Sequence, residues 1–121
     1  MLKKILLPAS VTYTLALATL SLVKVNTGTD LPSNSDKLFH ALAYIIFTAL
    51  WFFTCYYKLK FNKVRALIIS ALFSTVFGII IELLQGSLTA SREADLYDVI
   101  ANTAGTVIAI VVITIAVRGV K

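Results

Sequence analysis

The chain has 121 residues, of which 59% are apolar and only 14% are charged, and its mean hydropathy is +0.90. One small core could not bury this much apolar surface, so the composition excludes an ordinary soluble domain. The formal net charge of +5 does not indicate nucleic-acid binding, because the Lys and Arg residues lie at the ends of apolar segments and form no aromatic-interleaved basic face. The single cysteine, Cys55, excludes an intramolecular disulfide and is interpreted as an apolar filler.

Four apolar segments follow one another along the chain, at about 5–23, 38–57, 66–84 and 99–117. Each is close to the roughly 20 residues that a helix needs to span a bilayer. The segments are too long for strands and have no period-two alternation, so they indicate helices rather than a barrel. We therefore predict an all-α membrane protein with four transmembrane helices in a single domain, 1–121.

The first segment has some features of a secretory signal peptide, namely the basic start MLKK and the later ALA at 16–18. The apolar run continues beyond that position, which is more typical of an uncleaved anchor. Either interpretation leaves the same topology for the other three helices.

The basic residues predict the orientation of the helices. With the N-terminus in the cytoplasm, eight of the eleven Lys and Arg residues lie inside, as the positive-inside rule expects, and only Lys24, Lys37 and Arg92 lie outside. Both termini and the loop around 58–63 are then cytoplasmic, in a bacterial plasma membrane. All six acidic residues fall in the outer half, and this pattern needs another cause because acids contribute little to topology.

Helical spacing brings the unusual polar residues of the last three segments together. Asp36, His40 and Tyr44 repeat every fourth residue and share one helix face. The second segment starts outside, the third ends outside and the fourth starts outside, so their polar residues converge on one level at the outer surface. The candidate site comprises Asp36, Lys37, His40, Tyr44, Glu82, Gln85, Arg92, Asp95, Asp98 and Asn102.

Three motifs with these residues, SDKLFHALAY, IELLQ and SREADLYDVIANTAG, resemble the VanZ-like family of small bacterial membrane proteins. They span Asp36 to Gly105 in the family's order. One departure is TAS at 89–91, where the family often has Pro-Gly. The resemblance implies a cell-envelope protein and a link to low-level resistance to the glycopeptide teicoplanin, but it implies no settled reaction.

Several of these residues also have purely structural interpretations. Asp36 could cap the second helix, and Asp95 with Asp98 resembles a capping box. His40 could be a packing histidine, and Tyr44 an interfacial anchor. Capping does not explain Glu82, which the predicted bounds place near a helix C-terminus, where the dipole disfavours an acid.

Two classes of function remain. In an enzyme, His40 with Glu82, Asp95 or Asp98 would supply acid–base chemistry or ligate a divalent metal ion. In a binding protein, Lys37 and Arg92 would hold a phosphate. The other polar residues, Asp36, Tyr44, Gln85 and Asn102, would then complete the ligand site.

Membrane lipids are the expected partners in both classes, with a polyprenyl-linked or phospholipid head group as the ligand. The alternatives are a subunit of a small transporter or channel, or a structural partner in a membrane complex. An oligomer is compatible with each of these, and nucleic acid is not expected as a partner.

Overall fold

A computed structural model describes residues 2–22, 33–88 and 96–117, and four α-helices occupy nearly all of them. Helix α1 is Leu2–Leu22, α2 is Ser33–Phe53, α3 is Lys63–Leu88 and α4 is Leu96–Ala116. The prediction of four apolar helices is confirmed, because each helix contains a segment long and apolar enough to span a membrane.

Helix α3 is longer than predicted. Its segment 66–84 was defined by the apolar run, whereas the helix begins at Lys63 and ends at Leu88. Hydrogen bonding continues through the polar residues that flank an apolar segment, so hydropathy alone places such ends too far inward. Glu82 therefore lies more than a turn before the helix end, where the helix dipole acts only weakly, and the dipole argument applied to it is wrong.

A π-helical turn, Thr54–Lys58, continues α2. The buried Thr54 lies at its start, and the amide of Leu59 donates to the carbonyl of Thr54 at 3.0 Å. The connection to α3 includes Lys60 with a φ of 63°, and the Asn62 side chain accepts a hydrogen bond from the amide of Arg65 at 2.8 Å, which caps α3.

Helix α1 is attached to α2 by polar contacts as well as by packing. Ser10 Oγ lies 2.7 Å from Thr54 Oγ1, and the Tyr13 hydroxyl donates to the carbonyl of Ala43 at 2.7 Å. Hydrogen bonds between helices are a normal means of association in a bilayer, where apolar burial gives little driving force. Helix α1 is thus part of the bundle.

The most extensive helix pair is α2 with α4. Gly105 of α4 packs directly on the backbone of Ala41, so that an added Cβ would overlap the Ala41 carbonyl oxygen and lie 3.0 Å from its carbon. Small residues at such points allow two helix backbones to approach closely. This close crossing sets the distance between the early turns of α2 and those of α4.

The two ends of the bundle differ in their residues. The site end is where α2 and α4 begin and α3 ends, and the loop end contains the α2–α3 connection. At the loop end the core is apolar and formed by Phe52, Cys55, Ala66, Ala109 and Ile113. The large side chains exposed on the bundle are mostly aliphatic, as expected of a surface that faces lipid.

Candidate functional site

The site end contains two acidic side chains in the interior of the bundle. Glu82 on α3 is 3% exposed, and Asp98 on α4 is 1% exposed. Asp98 belongs to the first turn of α4, where the helix dipole favours a negative charge. Charged groups are costly inside a membrane protein, so both carboxylates need polar surroundings.

His40 of α2 faces Asp98 across the α2–α4 interface. Its Nδ1 lies 3.9 Å from the nearer carboxylate oxygen of Asp98, which is an ion-pair distance when the imidazole is protonated. The His40 side chain is 21% exposed, whereas that of Asp98 is almost fully buried. The pair therefore connects the bundle interior with its surface.

A cavity of about 40 Å³ lies among all four helices at this end. Four predicted site residues, His40, Tyr44, Glu82 and Asn102, line it, together with Leu17, Ser21, Ala43 and Ile81. Residues that helical spacing selected on three separate segments therefore line one cavity in the bundle.

Tyr44 and Asn102 have unusual environments in this cavity. Tyr44 is 3% exposed and Asn102 is 5% exposed, and both pack against Gly78 of α3. A Cβ at Gly78 would lie 3.2 Å from the Tyr44 ring and 3.3 Å from the Asn102 amide nitrogen. The Tyr44 hydroxyl and the Asn102 side-chain oxygen are buried and have no hydrogen-bond partner among the described residues. Buried polar atoms normally have one, so this pair calls for an explanation.

Polar side chains continue from the cavity toward the middle of the bundle. Thr106, one turn beyond Asn102, donates to the Asn102 carbonyl at 3.2 Å, and its hydroxyl lies 2.7 Å from that of Ser74. The Thr48 hydroxyl oxygen lies 3.5 Å from the Thr106 hydroxyl oxygen. Nearer the loop end the buried polar residues Ser10, Thr54 and Ser70 lie beside an apolar cluster.

The sequence interpretation missed the contribution of α1. Leu17 and Ser21 line the cavity, and they continue a stripe with Ser10 and Thr14 at helical spacing. That spacing was the available signal, but isolated Ser and Thr residues in an apolar segment are too common to identify a site.

Some predicted site residues lie outside the part of the chain that the structure describes. Arg92 and Asp95 fall in the undescribed stretch before α4. Asp36, Lys37 and Gln85 lie on described helical backbone, but their side chains are outside the described part. Within the described residues, no three His, Cys, Asp or Glu side chains are grouped as a metal site. The roles predicted for these residues, including metal binding, stay predictions.

Comparison with known proteins gives a family assignment. No curated protein and no solved structure matches the chain. The VanZ/LLP1 family model matches residues 2–117, which include all four helices and every motif discussed above. The chain therefore belongs to the VanZ/LLP1 family, as its motifs predicted.

Proposed function

We propose that this protein acts at the outer face of the bacterial plasma membrane, where its site end recognises or modifies the polar part of a lipid-linked envelope component. The observation that carries the proposal is the burial of two acidic side chains at the site end: Glu82 lines the cavity, and Asp98 lies 3.9 Å from His40, which also lines it. Structural helix packing does not require two acids and a histidine in an apolar bundle. Such a combination is typical of acid–base or ligand-binding sites.

The location of this site favours a lipid-linked ligand. The cavity lies within the first two turns of the candidate membrane spans of α2 and α4, close to the end where lipid head groups are expected. His40 is partly exposed there, so a head group at the surface can reach the pair that it forms with Asp98. Family membership is consistent with a role in glycopeptide resistance, and we propose teicoplanin susceptibility as the cellular readout.

A channel is the less favoured alternative. A conducting path would have to continue from the cavity through the loop end of the bundle. The described core there includes a packed cluster of apolar and aromatic side chains with Phe52 fully buried, and the buried Thr54 and Ser70 hydroxyls donate to backbone carbonyls of their own helices. A site that is polar at one end and followed by an apolar core is better suited to binding a ligand from one side.

The test replaces the three titratable residues separately, with His40→Ala, Glu82→Gln and Asp98→Asn. Each variant is expected to abolish teicoplanin resistance in cells that lack the wild-type protein, while its abundance in the membrane stays near normal. Removing one polar interaction inside a bundle costs only about 0.6 kcal/mol on average, so the four helices should remain folded. Immunoblotting of membranes and the minimal inhibitory concentration of teicoplanin provide the two readouts.

Thr114→Ala is the matched control, because Thr114 is exposed on α4 near the loop end. It should change neither abundance nor resistance. Full resistance in all three site variants at normal abundance would contradict the proposal and would show that the cluster is structural.

A further inference from the structure

The Tyr44 and Asn102 oxygens, which have no hydrogen-bond partner among the described residues, differ in chemistry. A tyrosine hydroxyl can donate a hydrogen bond, whereas an amide oxygen can only accept one. Both residues line the same cavity, and both are more than nine-tenths buried. A single group that accepts the Tyr44 hydroxyl hydrogen and donates to the Asn102 oxygen would satisfy both atoms.

The size of the cavity limits what that group can be. Its volume of about 40 Å³ is enough for roughly three to four water-sized groups at most, given ~10–15 Å³ for each. Pockets for drug-sized molecules are roughly 300–1,000 Å³, so the main part of a lipid head group cannot enter. A hydroxyl group fits both the volume and the required donor and acceptor pattern.

We propose that this cavity is a binding site for a single hydroxyl-type oxygen, which accepts a hydrogen bond from Tyr44 and donates one to Asn102. The hydroxyl belongs either to a water molecule or to an alcohol on a lipid head group. Assigning it to a lipid rests on the proposed function, whereas the binding of a hydroxyl does not. Glu82 and His40 line the same cavity, so the bound oxygen lies in the same enclosed space as these two side chains.

The sign of a stability change tests this site. If the Tyr44 hydroxyl is hydrogen-bonded to a bound group, Tyr44→Phe removes that bond and lowers the thermal midpoint. If the hydroxyl is buried and unsatisfied, the same substitution removes a desolvation penalty and raises the midpoint. The measurement is thermal denaturation of the full chain in lipid nanodiscs, followed by the fluorescence of its single tryptophan, Trp51.

Tyr13→Phe is the matched control, because the Tyr13 hydroxyl donates to the Ala43 carbonyl at 2.7 Å. This variant calibrates the loss of one satisfied tyrosine hydrogen bond in the same bundle. We expect Tyr44→Phe to lower the midpoint by a similar amount. A raised or unchanged midpoint in every lipid would overturn the proposal.

The lipid composition of the nanodiscs distinguishes the two sources of the hydroxyl. Phosphatidylglycerol has free hydroxyls on its head group and phosphatidylcholine has none. If Tyr44→Phe lowers the thermal midpoint equally in both lipids, the bound hydroxyl belongs to water. If it lowers the midpoint only in phosphatidylglycerol, the hydroxyl belongs to a lipid alcohol. Loss of teicoplanin resistance is not used here, so the hydroxyl site and the proposed function can fail independently.

A second variant tests the bridge itself. In an Asn102→Leu background the bound hydroxyl has lost its acceptor, so Tyr44→Phe should lower the midpoint less than it does in the wild-type chain. Equal effects in the two backgrounds would show that the residues do not share a bound group and would overturn the bridging geometry. If Asn102→Leu does not fold, the single substitutions at Tyr44 and Tyr13 still decide the sign.

Discussion

At the scale of single residues, the His40–Asp98 pair is the part of the site with the most specific geometry. The two side chains come from different helices and lie 3.9 Å apart, with the carboxylate almost fully buried. A buried carboxylate beside a histidine can orient the imidazole ring. If the pair acts as one unit, neither residue is useful to function without the other.

We predict that the effects of His40→Ala and Asp98→Asn on resistance are not additive. The double variant should differ from either single variant by no more than about twofold in susceptibility, because each substitution already removes the shared interaction. The measurement is teicoplanin susceptibility at matched abundance, with partly active variants at the two positions used if the substitutions leave no residual resistance. Multiplicative losses would show that the two residues act separately.

At the scale of helices, the crossing of α2 and α4 determines whether the site is assembled at all. Gly105 allows the backbones to approach at Ala41, one residue after His40. A methyl group at this position would push the α4 backbone away from α2. The change would then be transmitted along α4 to Asn102 and Asp98.

We predict that Gly105→Ala destabilises the protein by roughly 1–3 kcal/mol, the usual range for overpacking, although alanine is the better helix former. The clash is with backbone, which cannot rotate away as a side chain can. Thermal denaturation in detergent gives the change in stability. Ala104→Leu is the control, since Ala104 is exposed and the larger side chain enters lipid. Equal stability of both variants would contradict a close α2–α4 contact.

At the scale of the whole molecule, the basic residues bear on which side of the membrane the site end faces. The loop end of the bundle includes Lys58, Lys60, Lys63 and Arg65, and the site end contains the buried acids. The positive-inside rule predicts that the loop end is cytoplasmic and that the site end lies outside. The proposed role in the envelope depends on this orientation.

We predict that a membrane-impermeant thiol reagent added to intact cells labels Tyr97→Cys but not Leu59→Cys. Both positions are exposed, at 69% and 46%, and they lie at opposite ends of the bundle. The native Cys55 is buried and is replaced by alanine in both variants. Permeabilised cells are the control, in which Leu59→Cys should also react. Labelling of Leu59→Cys in intact cells would reverse the orientation and remove the site from the outer face.

The sequence by itself determined the class of the protein, because apolar length and helical hydrogen bonding in a bilayer allow few other solutions. It also indicated that His40, Tyr44, Glu82 and Asn102 share one level, since helical spacing fixes which residues share a face. Helix ends were less certain, as Glu82 shows, because hydropathy does not report where hydrogen bonding stops.

Only the tertiary structure decided how the helices are rotated and how closely they cross. From the sequence, the stripe on α1 that contains Ser21 could contact any neighbouring helix. The packing of the bundle placed Ser21 at the cavity. The spacing of residues along one helix contains no distance to another helix, so the 3.9 Å between His40 and Asp98 depends on contacts such as Gly105 with Ala41. The burial of the Tyr44 and Asn102 oxygens has the same origin, because local sequence cannot specify which polar atoms a packed interface leaves without a partner.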